Sequence, residues 1–130
     1  MNLKNKKEND MKKRIVLEKR QKHTEAYSVD NPGHGNANHE YEIQRKKPAN
    51  DGPLCFIAFQ TGPIKENGVN GIFNEDLISI VIDRLKCFQT SEYKCHENDM
   101  AIIKLEEALM WLSKRTLDRE RRNVLGTCEI

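Results

Sequence analysis

Apolar residues in the first half of the chain alternate or cluster in short runs, whereas in the second half they recur every three to four positions. Arg14 to Glu18 (RIVLE) is a β-branched run whose flanking charges would suit only an edge strand. From His39 to Arg45 (HEYEIQR), Tyr41 and Ile43 alternate with polar neighbours, which predicts a strand with one buried face. Leu54 to Gln60 (LCFIAFQ) is nearly continuous and too short for a helix, so it is expected to be the most buried strand, paired antiparallel with the previous one. Leu77, Ile78, Val81, Ile82, Leu85 and Phe88 then fall at helical spacing behind Asn74, a suitable N-cap. A second helix is expected from Asn98 or Asp99 to Asn123, with Ile102, Leu105, Leu109 and Leu112 on its apolar face and Gly126 just beyond its end. The pattern predicts an α+β fold: a small antiparallel β-sheet followed by a C-terminal antiparallel two-helix hairpin.

Between these elements the chain is punctuated by turn-forming residues. Ser28 to His39 (SVDNPGHGNANH) reads as a loop and Lys46 to Pro53 (KKPANDGP) as a turn. Lys65 to Gly71 (KENGVNG) has two Gly and two Asn residues, which admit left-handed turns and close approach to a ligand. With 130 residues the chain fits one modest domain, and association between copies comes naturally at that size. Lys plus Arg (22) nearly balance Asp plus Glu (20), giving +2 overall, so charge alone says little about partners. Its distribution says more, because Met1 to Lys22 holds nine Lys or Arg against three acids and forms a basic arm whose plain reading is a solvated tail.

No apolar stretch nears the ~20 residues a membrane helix needs, and no leader pattern opens the chain, so a cytoplasmic protein is expected. In that compartment Cys55, Cys87, Cys95 and Cys128 remain thiols. Cys95 beside His96, with Cys87 upstream, lacks the second ligand pair of a zinc site, so no metal is expected. Catalysis has no recognisable foundation either. Glu106 and Glu107 sit side by side on a helix, where adjacent side chains diverge, and suit solvent or salt bridges better than acid–base work.

Two stretches carry a resemblance to a known family. Leu105 to Thr127 (LEEALMWLSKRTLDRERRNVLGT) and Ile57 to Gly71 (IAFQTGPIKENGVNG) resemble the type-one Thoeris anti-defence nucleotide sponges of phages, which share a helical-hairpin domain with the anti-CBASS sponges. The similarity runs over roughly Leu54 to Thr127, with Asn123 and Leu125 standing where the family usually has Gly and Glu. The resemblance implies a non-enzymatic protein of the infected host's cytoplasm, without cofactor, that captures cyclic ADP-ribose isomers intact. It extends to cyclic di- or trinucleotides, and to a homodimer or a hexamer built as a trimer of dimers. It also implies residue roles: Phe88 as ligand-binding aromatic, Asn98 as polar reader, Arg115 and Arg119 as a phosphate-binding pair. On this reading residues 1–38 are the basic arm and loop, and 39–130 the sponge domain, with strands in 39–60, a ligand loop at 61–73 and the hairpin at 74–125.

The residues have readings of their own. Arg115 and Arg119 lie one helical turn apart, so their guanidinium groups point the same way and can fork onto neighbouring phosphates. A basic last turn also simply complements the helix dipole. Phe88 can stack on a base or continue the apolar stripe, Asn98 can read a base edge or cap a helix, and Trp111 suits a core or subunit contact. Asn98 and Arg115 are seventeen residues apart, ~25 Å along one helix, too far for one small nucleotide to touch both. If all four residues meet one ligand, each pocket takes Phe88 and Asn98 from one subunit and Arg115 and Arg119 from another, and a two-fold dimer has two such pockets. A small nucleic-acid-binding regulator is the alternative, suggested by the basic arm and the Arg-rich helix end. A nuclease or phosphodiesterase is disfavoured by the lack of a metal-binding cluster.

Overall fold

A computed structural model describes residues 14–15, 22–46 and 52–130. It divides into two compact units: residues 1–61 with 70–72, and residues 62–69 with 73–130. The first is a four-stranded antiparallel sheet of order β1-β2-β3-β4, comprising β1 (Arg14–Ile15), β2 (Thr24–Ser28), β3 (Glu40–Arg45) and β4 (Cys55–Ala58). The expected pairing of the 39–45 and 54–60 segments is present, with Tyr41 opposite Ile57 and Ile43 opposite Cys55. Tyr41 also meets Phe59 edge to face, ring centroids 5.7 Å apart.

Two expectations need correction. β2 lies in the stretch assigned to the arm and loop, where Thr24–Ser28 has no strong apolar alternation, yet it pairs along its whole length with β3. The Leu54 to Gln60 run is not the most buried strand: β4 has β3 as its sole neighbour among the described strands, and Leu54 and Phe56 are about half exposed. Among the described residues of the sheet unit, the buried one is instead Ser28. Of the RIVLE run, Arg14 and Ile15 form a strand at the sheet's edge, paired with Ser28 and Tyr27, while 16–18 and most of the basic arm lie outside the described residues, as does 47–51 of the expected turn.

Asp30 closes the β2–β3 connection. Its carboxylate accepts from the His39 backbone N–H at 2.9 Å and from the Asn38 side-chain amide at 3.1 Å, and that amide also donates to the Asp30 carbonyl at 2.7 Å. Burial pushes the Asp30 carboxyl up, but these bonds outweigh it and hold the group below its ordinary value. Beyond β4, the Asn70 amide pairs with the backbone of Thr61 in both directions at 2.9 Å, and Ile72 bridges to Phe59. Gly71 lies so close to this strand that an added Cβ would sit 2.4 Å from the Phe59 carbonyl carbon. Of the two glycines in the loop, Gly68 alone uses the left-handed region (φ 67°), and Gly71 is required by close approach.

The second unit is the hairpin: a one-turn helix α1 (Ile64–Asn67), then α2 (Asn74–Gln89) and α3 (His96–Arg121). The N-cap of α2 is Phe73 rather than Asn74, and the Asp76 carboxylate reaches back to accept the Phe73 N–H at 2.8 Å. α3 starts at His96, two or three residues before the expected Asn98 or Asp99, capped by Cys95. Ile82 of α2 and Ile102 of α3 are buried, and Leu105, Leu109 and Leu112 are half-buried on the predicted face. Lys86 and Glu106 join the helices through a 2.8 Å ion pair, so one of the adjacent glutamates is salt-bridged across the hairpin.

Candidate functional site

The four residues singled out in the sequence all lie in the hairpin unit, at its two ends. Phe88 is in the last turn of α2 and Asn98 in the first turn of α3, on either side of the connection Thr90 to Cys95. This turn is tightly tied. The Gln89 side chain donates to the Cys95 carbonyl at 2.8 Å and accepts from its N–H at 3.1 Å, while Ser91 and Thr90 hydroxyls bond the Phe88 and Cys87 carbonyls. A cleft of about 450 Å³ lies here, lined by Gln89, Lys94, Cys95, His96 and Asp99. Phe88 is half-buried, and the Arg84 guanidinium sits over its ring, 5.1 Å from the centroid. Sequence reasoning missed Arg84, although its place one turn before Phe88 on a helix was a usable signal. Asn98 is half-buried within the first turn and is not the helix cap.

Arg115 and Arg119 sit in the last two turns of α3. The helix ends in a Schellman motif, with the Asn123 N–H bonded to the Glu120 carbonyl and the Val124 N–H to the Arg119 carbonyl, both at 3.0 Å. Asn123 takes the left-handed position (φ 58°), a conformation that suits glycine best and that Asn is among the few other residues to tolerate. The Arg119 guanidinium folds back over this turn, donating from Nη2 to the Val124 and Thr127 carbonyls, each at 3.1 Å. Its Nη1 and Nε donors make no hydrogen bond with other described residues. Arg115 is exposed and has no hydrogen bond or ion pair among the described residues. Trp111, one turn earlier, is 57% exposed and so takes no part in a core among the described residues.

The C-terminal turn also touches α1 in the same unit: the Lys65 N–H donates to the Gly126 carbonyl at 3.2 Å, and Gly126 (φ 78°) lies against the Lys65 side chain. The arginine end of the hairpin therefore lies beside α1, as the antiparallel arrangement requires. Asn98 and Arg115 belong to one continuous 26-residue helix, so their axial separation is the ~25 Å that the helix rise dictates. The chain brings Phe88 near Asn98 and Arg115 near Arg119, and it keeps the two pairs apart.

A sheet followed by a two-helix hairpin, with cationic and aromatic positions at opposite hairpin ends, defines a class of small α+β protein. The chain belongs to the Acb2/Tad1 hairpin domain family, whose sequence profile matches residues 52–117. It is similar to a protein of Bacillus phage SBSphiJ7, Thoeris anti-defense 1, with 62% identity over 78 residues, 60% of this chain and 55% of that relative. The chain thus spans about half the length of the curated relative it matches. Among the described residues no helix is long and apolar enough to cross a membrane, and no group of three or more His, Cys, Asp or Glu is placed to hold a metal.

Proposed function

We propose that this protein is a phage anti-defence sponge: it binds cyclic ADP-ribose isomers, and cyclic di- or trinucleotides as further ligands, inside the infected cell and sequesters them without degrading them. The observation that carries the reading is the pair of guanidinium groups on the last two turns of α3, Arg115 exposed and Arg119 steered by the C-terminal turn, in a family that includes a Thoeris anti-defence protein. Arg115 and Arg119 take the phosphates through charge-assisted hydrogen bonds. Phe88 stacks on a base, and Asn98 reads a polar edge of the ligand.

Each pocket is assembled between two subunits, because one helix separates the two pairs of groups by ~25 Å. An unpartnered face of α3 favours such association. Ile103, Met110 and Leu117 recur at seven-residue spacing with Met100 beside them, and all are exposed. A stripe of this kind is what a helix presents to another copy of itself.

The test is to incubate the purified protein with a panel of cyclic ADP-ribose isomers and cyclic di- and trinucleotides, remove free ligand by gel filtration, and release what remains by heating. Mass spectrometry is expected to recover a cyclic ADP-ribose isomer at unchanged mass. A product of altered mass would overturn the sponge reading in favour of an enzyme, and failure to retain any cyclic nucleotide would overturn the binding reading itself.

A further inference from the structure

Arg84 stands one helical turn before Phe88 on α2, and its guanidinium carbon lies 5.1 Å from the centroid of the Phe88 ring. An exposed cation over a half-buried ring covers it from the solvent side, the side that a base has to take. The ring is on a fixed stem, because the Ser91 N–H and hydroxyl both donate to the Phe88 carbonyl, at 3.0 and 2.6 Å. The cation is held loosely. An exposed cation–π contact is worth only about a two- to fivefold preference. Positions three and four residues from Arg84 are Ile80, Val81, Cys87 and Phe88, with no carboxylate among them, and the adjacent Asp83 does not face it on a helix. Arg84 makes no hydrogen bond or ion pair with another described residue, whereas Lys86, the next cation of α2, is engaged by Glu106 at 2.8 Å.

We propose that Arg84 is a specificity-determining residue of the hairpin site: a charged cover on Phe88 that favours a base arriving with a phosphate over one arriving without. The inference rests on the sponge reading above, in which Phe88 stacks on the base. Stacking is worth about five- to 150-fold, more than the contact that keeps Arg84 on the ring, so an incoming base displaces the guanidinium. A neutral nucleoside breaks that contact and offers no opposite charge in return. A nucleotide breaks it too, but its phosphate takes the released planar fork through charge-assisted hydrogen bonds. Arg84 thus adds a phosphate contact from the Phe88 half of the pocket, while Arg115 and Arg119 supply theirs from the other half.

Titration calorimetry of the full chain and of Arg84→Gln, with the cyclic ADP-ribose isomers and with adenosine as the uncharged probe, tests the proposal. Arg84→Gln should bind the isomer that the wild type retains at least about tenfold more weakly, and adenosine about two- to fivefold more tightly. A merely structural role for Arg84 does not move the two ligands in opposite directions. Arg84→Lys keeps the charge without the planar fork, so its affinity for the isomer should fall between those of wild type and Arg84→Gln. The side chain is exposed, so circular dichroism of both variants should match the wild type. A wild type that binds no cyclic ADP-ribose isomer overturns the sponge reading and this inference with it. Wild-type binding that Arg84→Gln leaves unchanged overturns this inference alone, as does a variant that weakens both ligands together or binds adenosine no more tightly than wild type.

Discussion

Asp30 and Asn123 are each fixed by backbone geometry. Because the folded-state carboxyl of Asp30 is held below the ordinary aspartate value of 3.8, its bonds to His39 and Asn38 stabilise the β2–β3 connection fully above that pH. That contribution drains away as pH falls through the lower folded value. Urea midpoints of wild type and Asp30→Asn should differ most near neutrality and converge below pH 3.8. At the end of α3, the left-handed Asn123 allows a second test. Asn123→Gly should leave stability equal or slightly raised, whereas Asn123→Val should cost about 1–2 kcal/mol, because a β-branched side chain clashes there. Chemical denaturation of the pair measures the difference directly. Since the same turn supplies the carbonyls that hold Arg119, the Val variant should also weaken nucleotide capture, while the Gly variant should not.

Among the elements, the helices were the most legible in the sequence. Their 3.6-residue period is set by which side chains face the partner helix, and Ile82, Ile102, Leu105, Leu109 and Leu112 lie where the period put them. Their starts were less legible, because neither Phe73 nor Cys95 has a side chain that bonds the first turn, and the α2 start is marked only by Asp76 reaching back to the Phe73 N–H. β2 was hidden since Thr24, Ala26 and Ser28 offer little apolar contrast with their neighbours; long-range pairing with β3 makes it a strand. β4 misled in the other direction: an apolar run signals burial, but its place at the edge of this sheet leaves Leu54 and Phe56 open. The positions of Phe88, Asn98, Arg115 and Arg119 came from resemblance and helical spacing. Arg84 over Phe88 and the fold-back of Arg119 depend on rotamers and on a turn that periodicity does not encode. The exposed stripe of α3 gives a prediction at this scale. Met110→Glu with Leu117→Glu should leave the helical circular dichroism intact, since both residues are exposed. Light scattering should then show monomer where the wild type shows dimer or larger, and cyclic-nucleotide binding should disappear with assembly.

For the assembled molecule, the division of the pocket can be tested by mixing. Arg119→Ala removes a phosphate ligand and Phe88→Ala a base platform, so each variant alone should bind at least about tenfold more weakly, at ~1.5 to 3 kcal/mol for each charge-assisted bond removed and ~1 to 3 kcal/mol for the missing stacking. In a mixed dimer of the two, one pocket collects both defects and the other is intact. Titration calorimetry on co-refolded material should therefore recover high-affinity sites, at most one per mixed dimer. Their absence, with gel filtration confirming mixed dimers, would falsify the shared pocket.

Ile82 and Ile102 are the buried apolar side chains of the described hairpin, while Ile103, Met110, Trp111 and Leu117 are more than half exposed. On the proposed assembly, much of the burial that stabilises each hairpin comes from its neighbour, so mass action makes folding, oligomerisation and pocket formation rise together with protomer concentration. Early in an infection, when few copies have been translated, the protein would be both scarce and incompetent. Doubling its abundance would then more than double the signal it can absorb, so that protection sets in as a threshold in time rather than in proportion to synthesis.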